Sequence, residues 1–516
     1  MATTTATSPD GLRVVLAERW FALGVTACAL GLSAFLLASV STWPPNDDET
    51  LALFVGRDSL GGLLHTVHTE RGGAPLHFLV AWLVVHVGGG ATALRLASAL
   101  FAVASVPVLA ALSARLAGRQ VALVATALAS ASWLMLFHGV YGRMYTLFLF
   151  TSALSYLALL VAVERGGRGR WALWGLAALA AIASHPYGAL VLASQGLFVL
   201  ARARTGRALA ALVIVALAAT PFWLSDRVLA ERFDAGVGGG HRLPVLGYLA
   251  DAAGDASSGF LPVLVPILAL ALFGLWRLRP GAAFLVGCVV VAPALLLGLA
   301  SVSQSASPES RHLVFVLPFF STSLAAGLVA VFRHRAAVAG AVVLLLAAEI
   351  GWAWHRTPAL FEGESAARIE ARQAAAGWLA ATARPDDVLF GYDPLFLRAW
   401  ERDRDFPDTV VSRADVKLAL SELRSARSLG RGVWVLDAGD NSNRPPRSMI
   451  ALRLPSREFE GRVFGPYLVL RTREPTRTPA RYLTFAASAM RLGKQLEIVD
   501  DTGNLDTILA AEERLG

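Results

Sequence analysis

The chain has 516 residues, 55% of them hydrophobic and only 16% charged, with a mean hydropathy of +0.55. A soluble protein carries roughly a quarter charged residues, so composition excludes an ordinary soluble enzyme and puts most of the chain in a bilayer. The net charge of +8 rests on arginines scattered through short loops, which excludes a nucleic-acid surface, and Cys28 and Cys288 lie in apolar runs without CxxC spacing, which excludes a zinc or redox motif.

Residues 1–12 form a Thr/Ser-rich tail. The first apolar run, Trp20 to Val40, lacks a small-residue cleavage site and is expected to be a retained span rather than a signal peptide. Directly after it come Asp47, Asp48 and Glu49. Carboxylates cost several kcal/mol each in hydrocarbon, so this triplet marks an aqueous mouth at one membrane face. A polar, Gly-rich loop with His65, His68 and Glu70 runs on to Ala74. The next stretch, Pro75 to Val87 with His77, is apolar, but at about 13 residues it is too short to cross. Ten further spans are predicted near 92–114, 120–137, 145–163, 171–184, 188–201, 208–224, 259–276, 281–302, 312–332 and 336–354.

Arginine placement orients these spans. Fourteen arginines, from Arg13 and Arg19 through Arg333 and Arg335, fall on one set of junctions, and seven fall on the opposite set, which also holds most of the acids. By the positive-inside rule the first set is cytoplasmic. Letting residues 75–87 cross would invert every later loop against that count, so they are expected to lie at the outer face as a juxtamembrane or re-entrant helix. The expectation is thus an α-helical polytopic protein of about 11 spans, with juxtamembrane helices in its first outer loop, the N-terminus inside and the C-terminal part outside.

Composition changes after His355. Residues 356–516 are charged and interleave strand-like runs (Asp387–Phe390, Gly432–Leu436, Tyr467–Leu470) with helical ones (Ala366–Ala381, Asp415–Ala426), which reads as an extracytoplasmic α/β domain following a membrane domain at 1–355.

With that topology, four polar constellations share the outer face: Asp47-Asp48-Glu49; His138 through Tyr145, with Tyr141 and Arg143; Ser184-His185-Pro186-Tyr187; and Ser307 through His312, with Glu309 and Arg311. A carboxylate can accept the proton of an attacking hydroxyl. Arginine and histidine can grip a departing phosphate, and tyrosine can stack on sugar or bond phosphate. Plainer readings exist for each: boundary arginines and an aromatic belt for Arg143, Tyr141 and Tyr145, a helix-breaking Pro186 for His185, and a local ion pair for Glu309 and Arg311. His65, His68 and His77 lack tight metal spacing, so no metal or other cofactor is expected.

The order and wording of these motifs resemble the bacterial lipid-linked-sugar transferases of the GT-C superfamily, in the protein-mannosyltransferase and aminoarabinose-transferase-like branch. The resembling stretches are Asp48-Glu49-Thr50, Ala74-Pro-Leu-His-Phe-Leu79, Leu94-Arg-Leu-Ala-Ser98, Tyr141-Gly-Arg-Met-Tyr145, His185 and Arg311-His-Leu-Val-Phe-Val-Leu-Pro318. The resemblance implies a polyprenyl-phosphate-sugar donor, a glycan, lipid or protein acceptor, inversion at the anomeric carbon and reaction at the outer face of the cytoplasmic membrane. It makes Asp48 the general base with Glu49 as its catalytic neighbour and Asp47 as an extra acid. Arg143 and Tyr145 would contact the donor phosphate, joined by His185, Arg311 and His312. Where the family has Glu before its Arg, this chain has Tyr141, so a second acid would come from Glu70 or Glu309.

Two other classes compete. A transporter or flippase of lipid-linked saccharides would place ionisable groups near the bilayer midplane and show internal repeats; here the polar groups cluster at one face. A non-catalytic envelope scaffold would need Asp48 to be dispensable.

Overall fold

A computed structural model describes residues 9–232, 245–302, 309–332, 334–413, 415–437, 458–496 and 502–515. Most of the N-terminal tail, Arg333, and Ser307 of the fourth constellation lie outside the described residues.

Helix α1 (Pro9–Ser39) leads to three short helices, α2 (Asp47–Val55), α3 (Leu60–His65) and α4 (Pro75–His86), with a π-helical turn at Thr66–Arg71 between the last two. Pro75 opens α4 at a position where its missing N–H is harmless. Twelve residues rise about 18 Å, well short of the roughly 30 Å hydrocarbon thickness, so α4 is not a span.

The bundle continues with α5 (Ala91–Ala117), α6 (Arg119–Ala131), α7 (Trp133–Val140), α8 (Tyr145–Arg165), α9 (Arg168–Ser184), α10 (Gly188–Arg202), α11 (Gly206–Ala218) and α12 (Thr220–Arg232). After α13 (Val245–Asp255) come α14 (Leu261–Arg277), α15 (Pro280–Val302), a 3₁₀ segment at Ser310–Val316, α16 (Leu317–Val331) and α17 (Arg335–Arg356). Among the described residues, five helices are long and apolar enough to cross a membrane by themselves, or up to seven if two bent pairs each count as one. The bent pairs are α6 with α7 (53°) and α11 with α12 (47°). The chain is a multi-pass membrane protein.

Burial sorts these helices. The 3₁₀ segment with α16 buries 78% of its apolar window and α8 67%, against 17% for both α1 and α17. Helices apolar on all sides carry no mark of an inward face in sequence; burial shows that the first two form the core and the last two lie at its periphery. The α14–α16 crossing depends on Gly274 and Gly327: a Cβ on Gly274 would lie 1.8 Å from the Ser323 carbonyl oxygen, and one on Gly327 1.9 Å from that of Leu270. Small residues let membrane helices approach this closely.

Beyond α17, α18 (Ala359–Glu362) and α19 (Ala366–Thr382) lead into a mixed sheet with β1 (Val388–Phe390), α20 (Pro394–Arg402), β2 (Val410–Val411), α21 (Val416–Ser425), β3 (Gly432–Asp437), β4 (Phe459–Phe464) and β5 (Tyr467–Thr472). Strand order is β2-β1-β3-β5-β4, parallel through the first three and antiparallel through the last three. This part sits on the short helices α2 and α4 in one apolar cluster that includes Leu53, Ala81, Phe396 and Trp400. Polar clasps fix the seam. Arg57 donates to the carbonyls of Phe406 (2.8 Å) and Pro407 (3.0 Å), Arg71 pairs with Glu422 (3.3 Å) and bonds the Tyr392 hydroxyl, and Glu401 accepts from the Ala91 N–H at the start of α5 (2.9 Å).

Candidate active site

Asn46 starts the site. It caps α2 by a reciprocal box: its Oδ1 accepts from the Asp48 N–H (3.0 Å), and its own N–H donates to Glu49 Oε2 (3.2 Å). This satisfies orphan donors and places three carboxylates in the first turn, where the helix dipole favours them.

The three then diverge. Glu49 is fully buried and takes a two-pronged ion pair from Arg95, Nε to Oε1 at 2.7 Å and Nη2 to Oε2 at 2.6 Å. Oε1 also accepts from the Gly142 N–H (2.9 Å). With the Asn46 N–H, four donors fill the carboxylate's four acceptor positions. The expected catalytic neighbour Glu49 thus has every acceptor position taken by this chain's own donors, and its pair with Arg95 locks the start of α2 to α5. Arg95 completes the lock by donating to the carbonyls of Val40, Trp43 and Pro44 at 2.8–3.1 Å. Sequence reading named Arg95 only within the Leu94–Ser98 stretch; an arginine inside an apolar helix was the available signal of a buried partner.

Asp47 points the other way. It is exposed and lies 3.7 Å from Arg413, at the rim where the sheet-bearing part meets α2.

Asp48 faces the mouth. Its Oδ2 accepts from Arg143 Nη1 at 2.5 Å and from the Tyr141 hydroxyl at 2.8 Å. Tyr141 also contacts Asn46 Oδ1 at 2.6 Å. Burial raises the Tyr141 phenol well above its ordinary range, so it stays a donor at neutral pH. Oδ1 of Asp48 has no hydrogen-bond partner among the described residues, and the side chain is about one-third exposed (34%).

Arg143 leads to the second half of the site. Its guanidinium lies 5.5 Å from the Tyr145 ring centre, and that of Arg311 lies 5.4 Å from the same ring. Two cations beside one buried aromatic ring repel each other unless anions intervene. Asp48 serves Arg143, and Glu309 serves Arg311 at 2.5 Å. His185, Tyr187 and His312 close the ring cluster, with centroids 4.9–5.7 Å apart among themselves and from Tyr145 to His185. The Tyr187 N–H donates to His185 Nδ1 (3.0 Å) and the Glu309 N–H to His312 Nδ1 (3.1 Å). A ring nitrogen that accepts carries no proton, so in both histidines Nε2 holds it and is a donor. Burial keeps His185 well below its usual pKa, consistent with a neutral ring.

The structure thus brings together Asp48, Tyr141, Arg143, Tyr145, His185, Tyr187, Glu309, Arg311 and His312. His77 is buried beside them, and burial with the field of Arg143 lowers its pKa to about 3. Glu70 is elsewhere: its field is felt at Tyr392 and Glu422, by the Arg71 clasp, so of the two second-acid candidates only Glu309 is in the cluster. Sequence reasoning passed over Asn46, whose Asn-x-x-Glu spacing was legible as a capping box. Among the described residues, no three His, Cys, Asp or Glu are grouped as metal ligands. A separate cavity of about 300 Å³, lined by Trp43, Arg372, Glu401 and Arg402 among others, does not include Asp48.

Comparison with solved structures finds this architecture again. ArnT from Cupriavidus metallidurans in the apo state superposes with a TM-score of 0.56 at 16% identity, covering 88% of this chain and 98% of ArnT. The chain has the fold of ArnT. A second ArnT structure, bound to undecaprenyl phosphate, gives 0.55 at 15% identity over the same shares. The Archaeoglobus fulgidus oligosaccharyltransferase, tethered by a disulfide to an acceptor peptide containing the NVT sequon, gives 0.51 at 12% identity, covering 81% of this chain and 69% of that one. No protein-family model and no curated protein sequence matches. The likeness to these proteins is therefore one of shape, and any chemistry rests on the cluster around Tyr145.

Proposed function

We propose that this protein is an inverting glycosyltransferase that moves a sugar from a polyprenyl-phosphate donor to a glycan, lipid or protein acceptor at the outer face of the cytoplasmic membrane. One observation carries the reading. Asp48 has one oxygen pinned by Arg143 and Tyr141 and the other open, beside two arginines that flank a single buried tyrosine. A structural neighbour that holds undecaprenyl phosphate supports a donor of this class.

In this mechanism the acceptor hydroxyl gives its proton to Asp48 Oδ1 while its oxygen attacks the anomeric carbon. The bond from that carbon to the phosphate oxygen breaks on the opposite side, and the electron pair leaves with the polyprenyl phosphate. Arg143 and Arg311 exchange their carboxylate partners for the phosphate oxygens, and the Nε2–H groups of His185 and His312 donate to the same anion. As Arg143 turns toward the phosphate, Asp48 is released from its cation and faces the acceptor hydroxyl. Glu309, freed from Arg311, is the candidate second acid.

Removal of either guanidinium deletes a charge-assisted contact worth about 1.5–3 kcal/mol. Arg143→Ala and Arg311→Ala should each weaken binding of undecaprenyl phosphate to the purified protein in detergent by about ten- to a hundredfold. Wild-type affinity in both variants would remove the phosphate role.

We further propose eleven spans: α1, α5, α6 with α7, α8, α9, α10, α11 with α12, α14, α15, α16 and α17, with α2–α4 outside. The N-terminus is then cytoplasmic, and residues 356–516 form an extracytoplasmic domain. Val87 ends α4 and is 73% exposed; Gly169 opens α9 with nothing near its Cβ position. In a background with Cys28 and Cys288 replaced by alanine, Val87→Cys should react with an impermeant thiol reagent in intact cells, and Gly169→Cys only after permeabilisation. The reverse pattern would invert the topology and put Asp48 on the wrong side.

A further inference from the structure

Helix α13 ends on a residue that breaks a helix rule. Asp255 is its last residue, at the carboxyl end where exposed carbonyl dipoles favour a cation, and it is fully buried. A carboxylate is retained in such a place only if donors surround it. Here they come from two other elements. Ser310 Oγ, in the 3₁₀ segment, donates to Oδ2 at 2.5 Å; from α17, Trp352 Nε1 donates to Oδ1 at 3.1 Å and Arg356 Nε lies 3.3 Å from Oδ1. The approach of Trp352 depends on Gly259, where an added Cβ would sit 2.3 Å from the indole.

Both arms lead to the transferase cluster. Ser310 is the residue before Arg311, so the bond to Asp255 fixes the backbone from which Arg311 reaches the Tyr145 ring. Arg356 lies 5.4 Å over Trp133, which stacks on Phe137 at 4.8 Å, whose ring in turn meets Tyr141 at 5.4 Å. Tyr141 is the group that holds Asp48. Asp255 touches none of the candidate substrate-binding atoms, yet it braces both walls of the mouth.

We propose that Asp255 is a positioning residue for donor-phosphate recognition: it holds Ser310, and through it Arg311, at the angle the lipid phosphate requires. This rests on the reading of Arg311 as a phosphate ligand. A group that only stabilises the fold would lower stability without acting through Arg311, and a double-mutant cycle separates the two roles.

The test uses the full-length protein in detergent with undecaprenyl phosphate as probe, recording affinity and melting temperature for Asp255→Asn, Ser310→Ala, Arg311→Ala and the two double variants with Arg311→Ala. Asp255→Asn should weaken affinity about tenfold in the wild-type background and less than about twofold once Arg311 is alanine. Ser310→Ala removes one hydrogen bond and keeps the buried carboxylate, so it should show the same pattern more weakly; it carries the test if Asp255→Asn does not fold. Folded variants with wild-type affinity would overturn the inference, as would losses equally large with and without Arg311. A wild-type protein that ignores undecaprenyl phosphate would sink the transferase reading and this inference together, whereas normal wild-type binding with unaffected Asp255 and Ser310 variants would sink only the latter.

Discussion

Asp48→Asn should reduce sugar transfer from a polyprenyl-phosphate donor by about a hundred- to ten-thousandfold, the range over which a positioned general base acts. The substitution keeps size and hydrogen bonding at the Arg143 and Tyr141 contacts and removes the proton acceptor at Oδ1. Because the side chain is about one-third exposed (34%) and the α2 cap depends on Asn46 and Glu49 rather than on this carboxylate, folding and membrane insertion should be unchanged. Donor binding should survive or tighten, since Arg143 is released from an anion that competes with the phosphate. The check is a transfer assay with labelled donor alongside a melting curve. Turnover at the wild-type rate in a folded Asp48→Asn protein would remove Asp48 as base.

Glu49 and Arg95 give the opposite signature. Both are at most 1% exposed and satisfy each other in a two-pronged pair. Removing one partner of such a pair strands a charge and costs about 3–5 kcal/mol. Glu49→Ala leaves Arg95 facing only the three carbonyls of the Val40–Pro44 strip, and Arg95→Met leaves a carboxylate with only backbone donors. Each should lower stability in an SDS unfolding titration by that amount and reduce activity through loss of folded protein. A Glu49→Ala protein as stable as wild type but inactive would return Glu49 to a catalytic role.

The contrast between these neighbours shows what a sequence can and cannot reveal. Periodicity and length placed the apolar helices well, because the bilayer imposes a length on every span. It did not show that the stretch read as one span at 120–137 bends by 53° at Ser132, nor that the one at 208–224 bends at Ala219 and continues as α12 to Arg232. A serine cap or a proline inside an apolar run is a weak mark against a strong hydropathy signal. Helix α13 was absent from the reading for a related reason: eleven residues with a single short apolar face look like loop.

The strands Gly432–Leu436 and Tyr467–Leu470 were legible as continuous apolar runs, whereas two-residue β2 and edge strand β4, with Glu460 and Arg462 on it, carry little apolar signal. Within the site, residue type pointed to Asp48, Arg143 and Arg311, but three adjacent acids look alike in one dimension. What separates Asp47, Asp48 and Glu49 is the direction each takes from one helical turn, about 100° per residue, and which cation waits there: Arg413 at the rim, Arg143 at the mouth, Arg95 in the core. Those partners lie 46 to 366 positions away in the chain, beyond the reach of local pattern.

The most direct test is a structure of the protein with undecaprenyl phosphate bound. The account requires the lipid phosphate to sit within hydrogen-bond reach, about 3 Å, of the Arg143 and Arg311 guanidinium groups over the Tyr145 ring, with Asp48 Oδ1 facing the space beyond it. A phosphate seated away from both arginines, or Arg143 still paired with Asp48 with the lipid in place, would contradict it.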